Sequence, residues 1–393
     1  MDERFSSELH AMQPELVAIR HDIHAHPELA MQEVRTSALV AAKLKEYGLT
    51  VTEQVGRYGV IGTLKSIPPG DRSIALRADM DALKLTEETN VPYASTISGV
   101  MHACGHDGHT TMLLGAAKYL AQHRNSFFGT IYFIFQPAEE NLQGALAMMN
   151  DRLFERFPCD AIYGLHTLAH LPVGKFFIRP GPMMAASDRW LVTFQGTGGH
   201  GGATPHLATD VTVLQAQFIL ALQTIISRNI ASTNSAVISI GAVQGGSFSS
   251  LNVMPSEIRI GGTSRTFTKE VRDIIERRMK ELANGLAQSF DCTAQVEYNR
   301  FGTPLVNHDE QTARAIKAAE SLVGKENVEG YIKPLTAGED FAYFLEEKPG
   351  AYMGIGNGIG GGSTHAPTFI FNDECIPSGV GYWISLVQQE LKP

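Results

Sequence analysis

Eight consecutive residues, His102–His109, contain three histidines, one cysteine and one aspartate. Cysteine and histidine are the side chains that hold soft or borderline divalent metals. Two glycines within the segment allow tight backbone bends, which can aim several donors at one point. A second polar cluster follows at Gln136–Glu140, and His166 comes after that. Together the three segments predict a metal-dependent hydrolase site.

Adjacent Glu139 and Glu140 suit the two carboxylate tasks of such a site. If Glu140 binds a metal, the backbone turn can leave Glu139 free to take a proton from water and return it to a leaving amine. On its own, a glutamate pair after a buried strand is more often an exposed loop. The nearby Cys104 and His106 are what favour the catalytic interpretation.

Strands predicted from apolar runs position these clusters. Asp79 and Asp81 follow the run at 73–78, the glutamate pair follows the run at 129–136, and His166 ends the next run. Sites in open α/β sheets gather beyond the carboxyl ends of the strands, so we expect the three clusters to meet. We interpret the two aspartates as groups that orient a ligand histidine or lie near the metals.

The order of the predicted elements indicates two domains, as a chain of 393 residues allows. Helical and strand patterns alternate over the first part of the chain and resume near its end, which predicts an α/β sheet with helices on both faces. Residues 187–297 follow the order β-α-β-β-α-β of a ferredoxin-like unit. The predicted fold class is α/β, with a catalytic metal-binding sheet domain at 1–186 and 298–393 and an inserted ferredoxin-like lid or dimerisation domain at 187–297.

Composition limits the possible partners and the compartment. The formal net charge of −9 argues against nucleic acid or an anionic membrane surface as a partner, because both attract basic surfaces. The four cysteines have no framework spacing, which is typical of reduced thiols. The sequence shows neither a signal-peptide pattern nor, on inspection, an apolar run long enough to span a membrane. We therefore expect a cytoplasmic protein without a membrane partner.

The motifs resemble those of the M20 metallopeptidase/amidohydrolase family, in its branch of hippurate hydrolases and N-acyl-amino-acid or indole-acetyl-amino-acid amidohydrolases. The resemblance spans nearly the whole chain, and its most specific parts are MHACGHDGHT and QPAEE. The matching segments are HDIHAHPEL (21–29), LRADMDAL (76–83), MHACGHDGHT (101–110), FQPAEE (135–140), GLH (164–166), GTGGHGGATPH (196–206), NVMP (252–255), TSRTF (263–267), GEDF (338–341), THAP (364–367) and FND (371–373).

This resemblance implies a role for particular residues. It implies Glu139 as the general base and His200, on the lid, as a group that helps to polarise the scissile carbonyl. Asn252 and Arg265, also on the lid, are implied to bind the substrate, and the Arg265 guanidinium could grip an α-carboxylate. The implied metal ligands are Cys104, His106, Glu140, His166 and His365.

Four further residues bear on the assignment. His365 lies in a Ser-Thr-His-Ala-Pro context, and Asn141 follows the glutamate pair where the branch usually has glycine. Neither His102 nor His109 is predicted as a ligand; His109 could cap the following helix or orient a ligand.

The resemblance implies a binuclear metal-dependent hydrolase that cleaves N-acyl amino acids (acetyl, benzoyl or aryl-acetyl) into a carboxylic acid and a free amino acid. Its two divalent ions could be Mn, Zn, Co or Ni, because all accept mixed sulfur, nitrogen and oxygen ligands. The expected partners are this small-molecule substrate and a second copy of the chain, bound through the lid. Alternatives are a di- or tripeptidase, an N-carbamoyl-amino-acid hydrolase, or a catalytically silent metal-binding regulatory protein.

Overall fold

The computed structural model describes residues 3–392, which form two compact units. Met184–Leu305 with Pro334–Gly338 forms the smaller unit, and the other described residues form the larger one. The helices are α1 (Glu3–Ala25), α2 (Val34–Glu46), α3 (His106–Gln122), α4 (Gly144–Asn150), α5 (Leu153–Arg156), α6 (Val211–Thr224), α7 (Lys269–Ser289), α8 (Asp309–Val323), α9 (Phe341–Glu347) and α10 (Cys375–Glu390). The strands are β1 (Thr50–Val55), β2 (Gly59–Lys65), β3 (Ser73–Asp79), β4 (Thr130–Gln136), β5 (Ala161–Leu168), β6 (Phe176–Phe177), β7 (Gly181–Met184), β8 (Ala186–Gln195), β9 (Gly199–His200), β10 (Ala236–Gly245), β11 (Val253–Met254), β12 (Glu257–Thr266), β13 (Thr293–Phe301), β14 (Leu305–Asn307), β15 (Val328–Glu329) and β16 (Gly350–Gly356).

The larger unit is built on an eight-stranded mixed sheet of order β1-β2-β4-β3-β5-β16-β6-β15. Its four central strands, β4, β3, β5 and β16, run parallel to one another. They are almost wholly buried, as expected for parallel strands covered on both faces, and this explains their continuous apolar sequence. The α/β sheet expected from the sequence is confirmed.

Three of the parallel strands bring the sequence clusters to one edge of this sheet. Asp79 at the end of β3 is paired with Gln136 at the end of β4. On the other side of β3, Arg77 is paired with Gly164 of β5, so His166 lies level with Asp79. Side chains at the carboxyl ends of the three strands therefore share one rim, as the sequence predicted.

The smaller unit has the order β8-α6-β10-β12-α7-β13 that the ferredoxin-like prediction requires. Its four long strands form an antiparallel sheet of order β10-β12-β8-β13, and the last of them continues to Phe301. A short ribbon of β9 and β11 pairs Gly199 with Met254 and His200 with Val253. Apolar side chains from the sheet and both helices form a core that includes Phe194, Phe218 and Ile275.

One helix of the smaller unit contradicts the expectation that the chain contains no apolar segment long enough to span a membrane. Val211–Asn229, which is α6 and the turn of π-helix after it, is long and apolar enough to cross a membrane by length and composition, although only 28% of it is buried. Leu214, Phe218 and Leu222 face the core of the unit, which accounts for part of this apolar character. Val213 and Leu220 are exposed on the same helix.

Candidate metal centre

Potential metal ligands from six separate segments of the chain meet in the larger unit. They fall into groups in which one ligand atom from each residue lies within 4.8 Å of the others. Three of the groups consist entirely of predicted site residues: Cys104 with His106 and His166, Cys104 with Glu140 and His365, and His106 with Glu139 and Glu140. Since the groups share members, all five predicted ligands and the predicted base lie around one region.

Backbone geometry explains how two of the ligands reach this region. Gly105 has a φ of 92° directly before α3, a left-handed conformation that glycine adopts easily, and it separates Cys104 from His106. His365 also lies in the left-handed region, with a φ of 64°. Its N–H donates to the carbonyl oxygen of Ala103 over 2.7 Å, which fastens the C-terminal loop beside Cys104.

Two of the histidines are held with Nε2 open toward the ligand cluster. His106 Nδ1 lies 2.9 Å from the carbonyl oxygen of Asp81, and His166 Nδ1 lies 2.6 Å from that of Thr167. A carbonyl oxygen only accepts hydrogen bonds, so in the neutral form of each ring Nδ1 carries the hydrogen and Nε2 keeps its lone pair. His166 Nε2 lies 3.4 Å from Cys104 Sγ. This tautomer is the one that a metal-binding imidazole requires.

The opposite arrangement explains why His109 is not placed as a ligand. Its Nδ1 hydrogen bonds to Asp79 Oδ1 over 2.6 Å, and its Nε2 accepts from the N–H of Thr167 over 2.9 Å. Both ring nitrogens are therefore occupied, and His109 fastens the ends of β3 and β5 together.

His102 is buried, and both its nitrogens lack a hydrogen-bond partner among the described residues. Burial lowers the pKa of His102 to about 4, so its ring is neutral.

The donor set fits divalent cations. His106 Nε2 and Glu140 Oε1 are buried, and neither has a hydrogen-bond partner within residues 3–392. Unpaired buried polar atoms are costly, and here both lie among sulfur, nitrogen and oxygen donors that zinc-like ions accept. Burial, together with the charge of Glu140, raises the pKa of Cys104, so a thiolate at this position requires a cation beside it.

Hydrogen bonds connect His365 with the acidic side of the cluster. Its Nε2 lies 3.4 Å from Glu140 Oε2, and hydrogen bonds to Cys104 and then to Glu140 raise its pKa to about 10. Protons and metal ions compete for the same nitrogen, so a bound cation would displace this proton. In such a bound state the Cys104 thiolate and the Glu140 carboxylate would supply negative charge, and the His365 imidazole a neutral nitrogen donor.

Glu139 lies at the inner side of the cluster, in a strongly acidic environment. Its Oε2 is 3.9 Å from His106 Nε2, and the side chain is buried. A carboxylate oxygen of Glu139 lies within 4.8 Å of ligand atoms of Glu339 and Asp340. Burial, followed by the charges of Glu339 and Glu140, raises the pKa of Glu139 well above its usual value. A bound cation would act in the opposite direction.

The residues that pack behind Glu139 were not predicted from the sequence as part of the site. Arg77, fully buried in β3, donates to Gln136 Oε1, Asp79 Oδ2, Glu339 Oε1 and Asp340 Oδ1 over 2.6–3.1 Å. Its charge offsets part of the negative charge behind Glu139. The available signal was a lone arginine within an otherwise apolar strand, because a buried arginine must be paired with acidic groups.

The two aspartates predicted to orient ligands differ in what they touch. Asp81 accepts from His106 Nδ1 through its carbonyl oxygen, and its Oδ2 accepts from the N–H of Glu140 over 2.9 Å. Asp79 contacts His109 and Arg77, and its Oδ1 lies 3.8 Å from His106 Nε2. Asp81 thus contacts two candidate ligands, whereas Asp79 joins the strand ends.

The three remaining predicted residues belong to the smaller unit. His200 is exposed on β9, and its Nδ1 accepts from the N–H groups of Gly202 and Ala203 over 3.3 and 3.1 Å. Asn252 adjoins this ribbon, since its carbonyl oxygen accepts from Gly201 N–H over 2.9 Å. Arg265 is half-buried on β12 and donates to its own strand, at Thr263 and Ser264.

His200 and Arg265 lie at opposite ends of the small sheet. The ribbon that carries His200 continues the β8–β12 pairing beyond Glu257, which is paired with Gln195. Arg265 is paired with Ser187 at the other end, eight positions along β12 from Glu257. At the usual rise per residue this is roughly 26 Å, more than a small substrate spans. Within one chain, the smaller unit does not bring these two side chains together.

Comparison with known proteins agrees with the motifs. The model of peptidase family M20/M25/M40 matches residues 75–389. The chain is 42% identical to the hippurate hydrolase of Campylobacter jejuni over 381 residues, covering 97% of this chain and 98% of that protein. It is 38% identical to an N-acetyl-L-cysteine deacetylase of Bacillus subtilis, covering 94% and 86%. The crystal structure of a dinuclear metal-binding M20 peptidase from Bacillus subtilis superposes with a TM-score of 0.85 at 33% identity, covering 97% and 99%. Together with the ligand clusters, that neighbour supports a site for two divalent ions.

Proposed function

Since this chain belongs to peptidase family M20/M25/M40, we propose that it hydrolyses the amide bond of N-acyl amino acids, releasing a carboxylic acid and a free amino acid. It is a metal-dependent hydrolase. One observation carries the proposal: five donors of sulfur, nitrogen and oxygen type form overlapping clusters, and one of these clusters contains the buried Glu139. The proposed metal ligands are Cys104, His106, Glu140, His166 and His365.

The reaction proposed for this site needs a proton carrier. When bound, the two divalent ions lower the pKa of a water molecule and polarise the scissile carbonyl. Glu139 then takes a proton from the attacking water and returns it to the nitrogen of the leaving amine. Its neighbours Glu339 and Asp340 support this role, because nearby negative charge strengthens a carboxylate as a base.

His200 is suited to donate a hydrogen bond to the developing oxyanion. Because Nδ1 accepts from two backbone N–H groups, the neutral ring carries its hydrogen on Nε2. A donor of this kind is typically worth about 2.7–4 kcal/mol in the transition state. Asn252, directly before β11, would contribute a further polar contact. Arg265 would bind the α-carboxylate of the amino-acid part, where a guanidinium forms two parallel hydrogen bonds.

The separation of His200 from Arg265 supports a homo-oligomer in which a second copy completes each site. In this proposal one chain contributes Arg265, and its partner contributes His200 with Asn252. The smaller unit also offers a surface for such pairing. Strand β10 is at the edge of its sheet and largely exposed, and an exposed edge readily pairs with another strand. Exposed apolar side chains accompany it, at Val237 and Val243 on β10 and Val213 and Leu220 on α6.

Alternative activities on the same fold differ in their ligands. The resemblance to the amidohydrolase branch includes Cys104, and a cysteine at this position favours an amidohydrolase over a peptidase or a carbamoylase. A silent regulatory protein would not need a buried Glu139 beside intact ligands. The four cysteines are all free, which is in keeping with the proposed cytoplasmic location.

A substrate and metal screen tests the proposal. The purified protein is stripped with a chelator and reloaded separately with Mn, Zn, Co or Ni. Each form is assayed with hippurate, N-acetyl-L-cysteine, an indole-acetyl amino acid, a dipeptide and an N-carbamoyl amino acid. Metal-dependent hydrolysis of the N-acyl amino acids is expected. Preferential turnover of the dipeptide or the carbamoyl compound would select an alternative, and two bound metals without turnover of any compound would favour the silent protein.

A further inference from the structure

The residue before the proposed base has an unfavourable backbone conformation. Ala138 has a φ of 55° and is fully buried. For an L-residue other than glycine, the left-handed region costs roughly 1–2 kcal/mol, so surrounding contacts must hold it there. The direction in which Glu139 leaves the backbone depends on this conformation, because the two residues share a peptide bond.

Glu33 supplies one of those contacts from a distant part of the chain. Its side chain is fully buried directly before α2, and Oε1 accepts from the N–H of Ala138 over 2.8 Å. The same oxygen accepts from the N–H of Met31 over 3.1 Å. Met31 also has a left-handed backbone, with a φ of 61°. One carboxylate oxygen therefore bridges two strained residues that are far apart in sequence.

A second carboxylate acts on the other side of the base. The N–H of Glu140 donates to Asp81 Oδ2 over 2.9 Å. The peptide groups Pro137–Ala138 and Glu139–Glu140 are thus each held by a buried carboxylate, Glu33 in the first case and Asp81 in the second. Within the turn, the N–H of Leu142 donates to the carbonyl oxygen of Glu139 over 2.7 Å.

From this geometry we infer that Glu33 is a positioning residue for catalysis, which holds Ala138 in its left-handed conformation and so fixes the direction of the Glu139 side chain. The inference rests on the proposed role of Glu139 as the base. Glu33 does not contact the reacting atoms; it acts through the backbone of the turn.

Glu33 can accept the hydrogen bond from Ala138 in either of its protonation states. Burial, followed by the charge of Asp81, raises the pKa of Glu33 to about 7. Its Oε2 is buried without a hydrogen-bond partner among the described residues, so a proton can reside there while Oε1 continues to accept from Ala138. A neutral amide at this position should therefore replace the carboxyl group.

The test compares four variants of the metal-loaded enzyme on hippurate and N-acetyl-L-cysteine. Glu33→Met fills the volume but offers no oxygen acceptor, and Glu33→Ala removes both. Because small misplacements of catalytic groups are costly, each should lower kcat at least about tenfold, with KM and metal content little changed. Glu33→Gln keeps an acceptor oxygen and should remain within about threefold of the wild type. In Glu33→Met, the second change Ala138→Gly should restore part of kcat, since glycine adopts positive φ without strain.

Glu28 provides the matched control. It belongs to the same segment and accepts from the N–H groups of Arg35 and Thr36 over 2.9 and 2.8 Å, but it does not contact the turn of Glu139. Glu28→Ala should therefore leave kcat unchanged. A loss in this variant as large as in Glu33→Met would reduce the effect of Glu33 to general support of α2 and overturn the inference.

Hydrogen exchange measures the hydrogen bond between Ala138 and Glu33 independently of catalytic activity. The amide of Ala138 should exchange faster in Glu33→Met and Glu33→Ala than in the wild type, and at nearly the wild-type rate in Glu33→Gln. Unchanged exchange in the first two variants would overturn the inference, as would unchanged kcat or a loss of metal in parallel with activity. An inactive wild type with the expected exchange pattern would instead reject the proposed function and leave the backbone contact established.

Discussion

His106 presents Nε2 to the ligand cluster because its Nδ1 lies 2.9 Å from the main-chain oxygen of Asp81. A backbone oxygen cannot donate, so whenever the ring is neutral this contact places its single hydrogen on Nδ1. The same arrangement recurs at His166, whereas both ring nitrogens of His109 are hydrogen-bonded to other groups. The histidines proposed as ligands thus differ from His109 in their hydrogen bonds rather than in their position in the motif.

Substitution of the two central histidines should separate these roles. His106→Ala is expected to lose metal and activity together, because it removes a donor. His109→Ala should retain metal under saturating conditions while lowering thermal stability, since Asp79 Oδ1 and the N–H of Thr167 lose their partner in His109. Elemental analysis and melting curves make the comparison. Equal metal loss in the two variants would contradict the distinction.

The two adjacent glutamates should respond differently to the same substitution. Glu139→Gln is expected to keep two metals per chain and lose at least about a hundredfold in kcat, because an amide cannot carry the proton. Glu140→Gln should lose metal affinity as well as activity. Turnover and metal content are measured on the same samples. Near-normal turnover in Glu139→Gln would mean that another group is the base.

A mixed dimer tests whether His200 acts on the partner. Chains carrying His200→Ala and Glu139→Gln are co-expressed with different tags, and the heterodimer is purified through both tags. If His200 serves the partner's site, one of the two sites is intact, and about half of the wild-type kcat per dimer should return. Each variant alone is the control. A heterodimer as inactive as its parents would place His200 in its own chain's site, and a monomeric protein would reject the paired arrangement.

Arg265 should discriminate between substrates by their carboxylate. Arg265→Ala is expected to raise KM for N-acyl amino acids, because the guanidinium no longer pairs with the α-carboxylate. The corresponding amides or esters, which lack that charge, should be affected little. Kinetics on matched acid and amide pairs measure the difference. An equal loss for both members of a pair would rule out carboxylate binding by Arg265.

Stability should fall at alkaline pH through His24. This buried residue lies 2.8 Å from Asp107 and 3.2 Å from Glu87; burial lowers its pKa, but the hydrogen bonds to the two carboxylates outweigh burial and raise the pKa to about 9. A raised histidine pKa stabilises the fold fully below the unfolded value near 6.5, and this contribution is lost as the pH rises through about 9. The contribution of His24 to the free energy of unfolding that is lost over this pH range is on the order of 3 kcal/mol.

Melting curves at pH 6.5–9.5, recorded with saturating metal, measure this effect. His24→Gln should be less stable at low pH and should lose less stability than the wild type on going to high pH. His206→Gln, on the exposed surface of the smaller unit, is the control and should follow the wild type. Parallel pH profiles for wild type and His24→Gln would show that another group governs the alkaline loss.

The sequence predicted the parts of the site that are local. Cys104 and His106 are close in sequence, and Glu139, Glu140 and His166 follow apolar runs that become parallel strands, so their convergence could be inferred from the strand rule alone. The α/β class and the family are confirmed for the same reason: both depend on short motifs and on the order of elements.

What the sequence could not supply are contacts between distant segments. Nothing near Glu33 points to Ala138, and the ion pairs of Arg77 with Glu339 and Asp340 join residues that are far apart in the chain. The separation of His200 from Arg265 was also unforeseen, because motif order does not reveal which end of a sheet a residue occupies. These features depend on register and on long-range packing.

The position of β16 has a consequence for biosynthesis. This strand lies between β5 and β6 in the sheet, although the long segment Met184–Leu305 separates it from both in the chain. A nascent chain emerging from the ribosome can therefore fold the whole inserted unit before it can close the sheet of the larger one. His365 is made later still, after β16. Chains that stop before His365 consequently lack one of the proposed donors, and we expect them to have no hydrolytic activity.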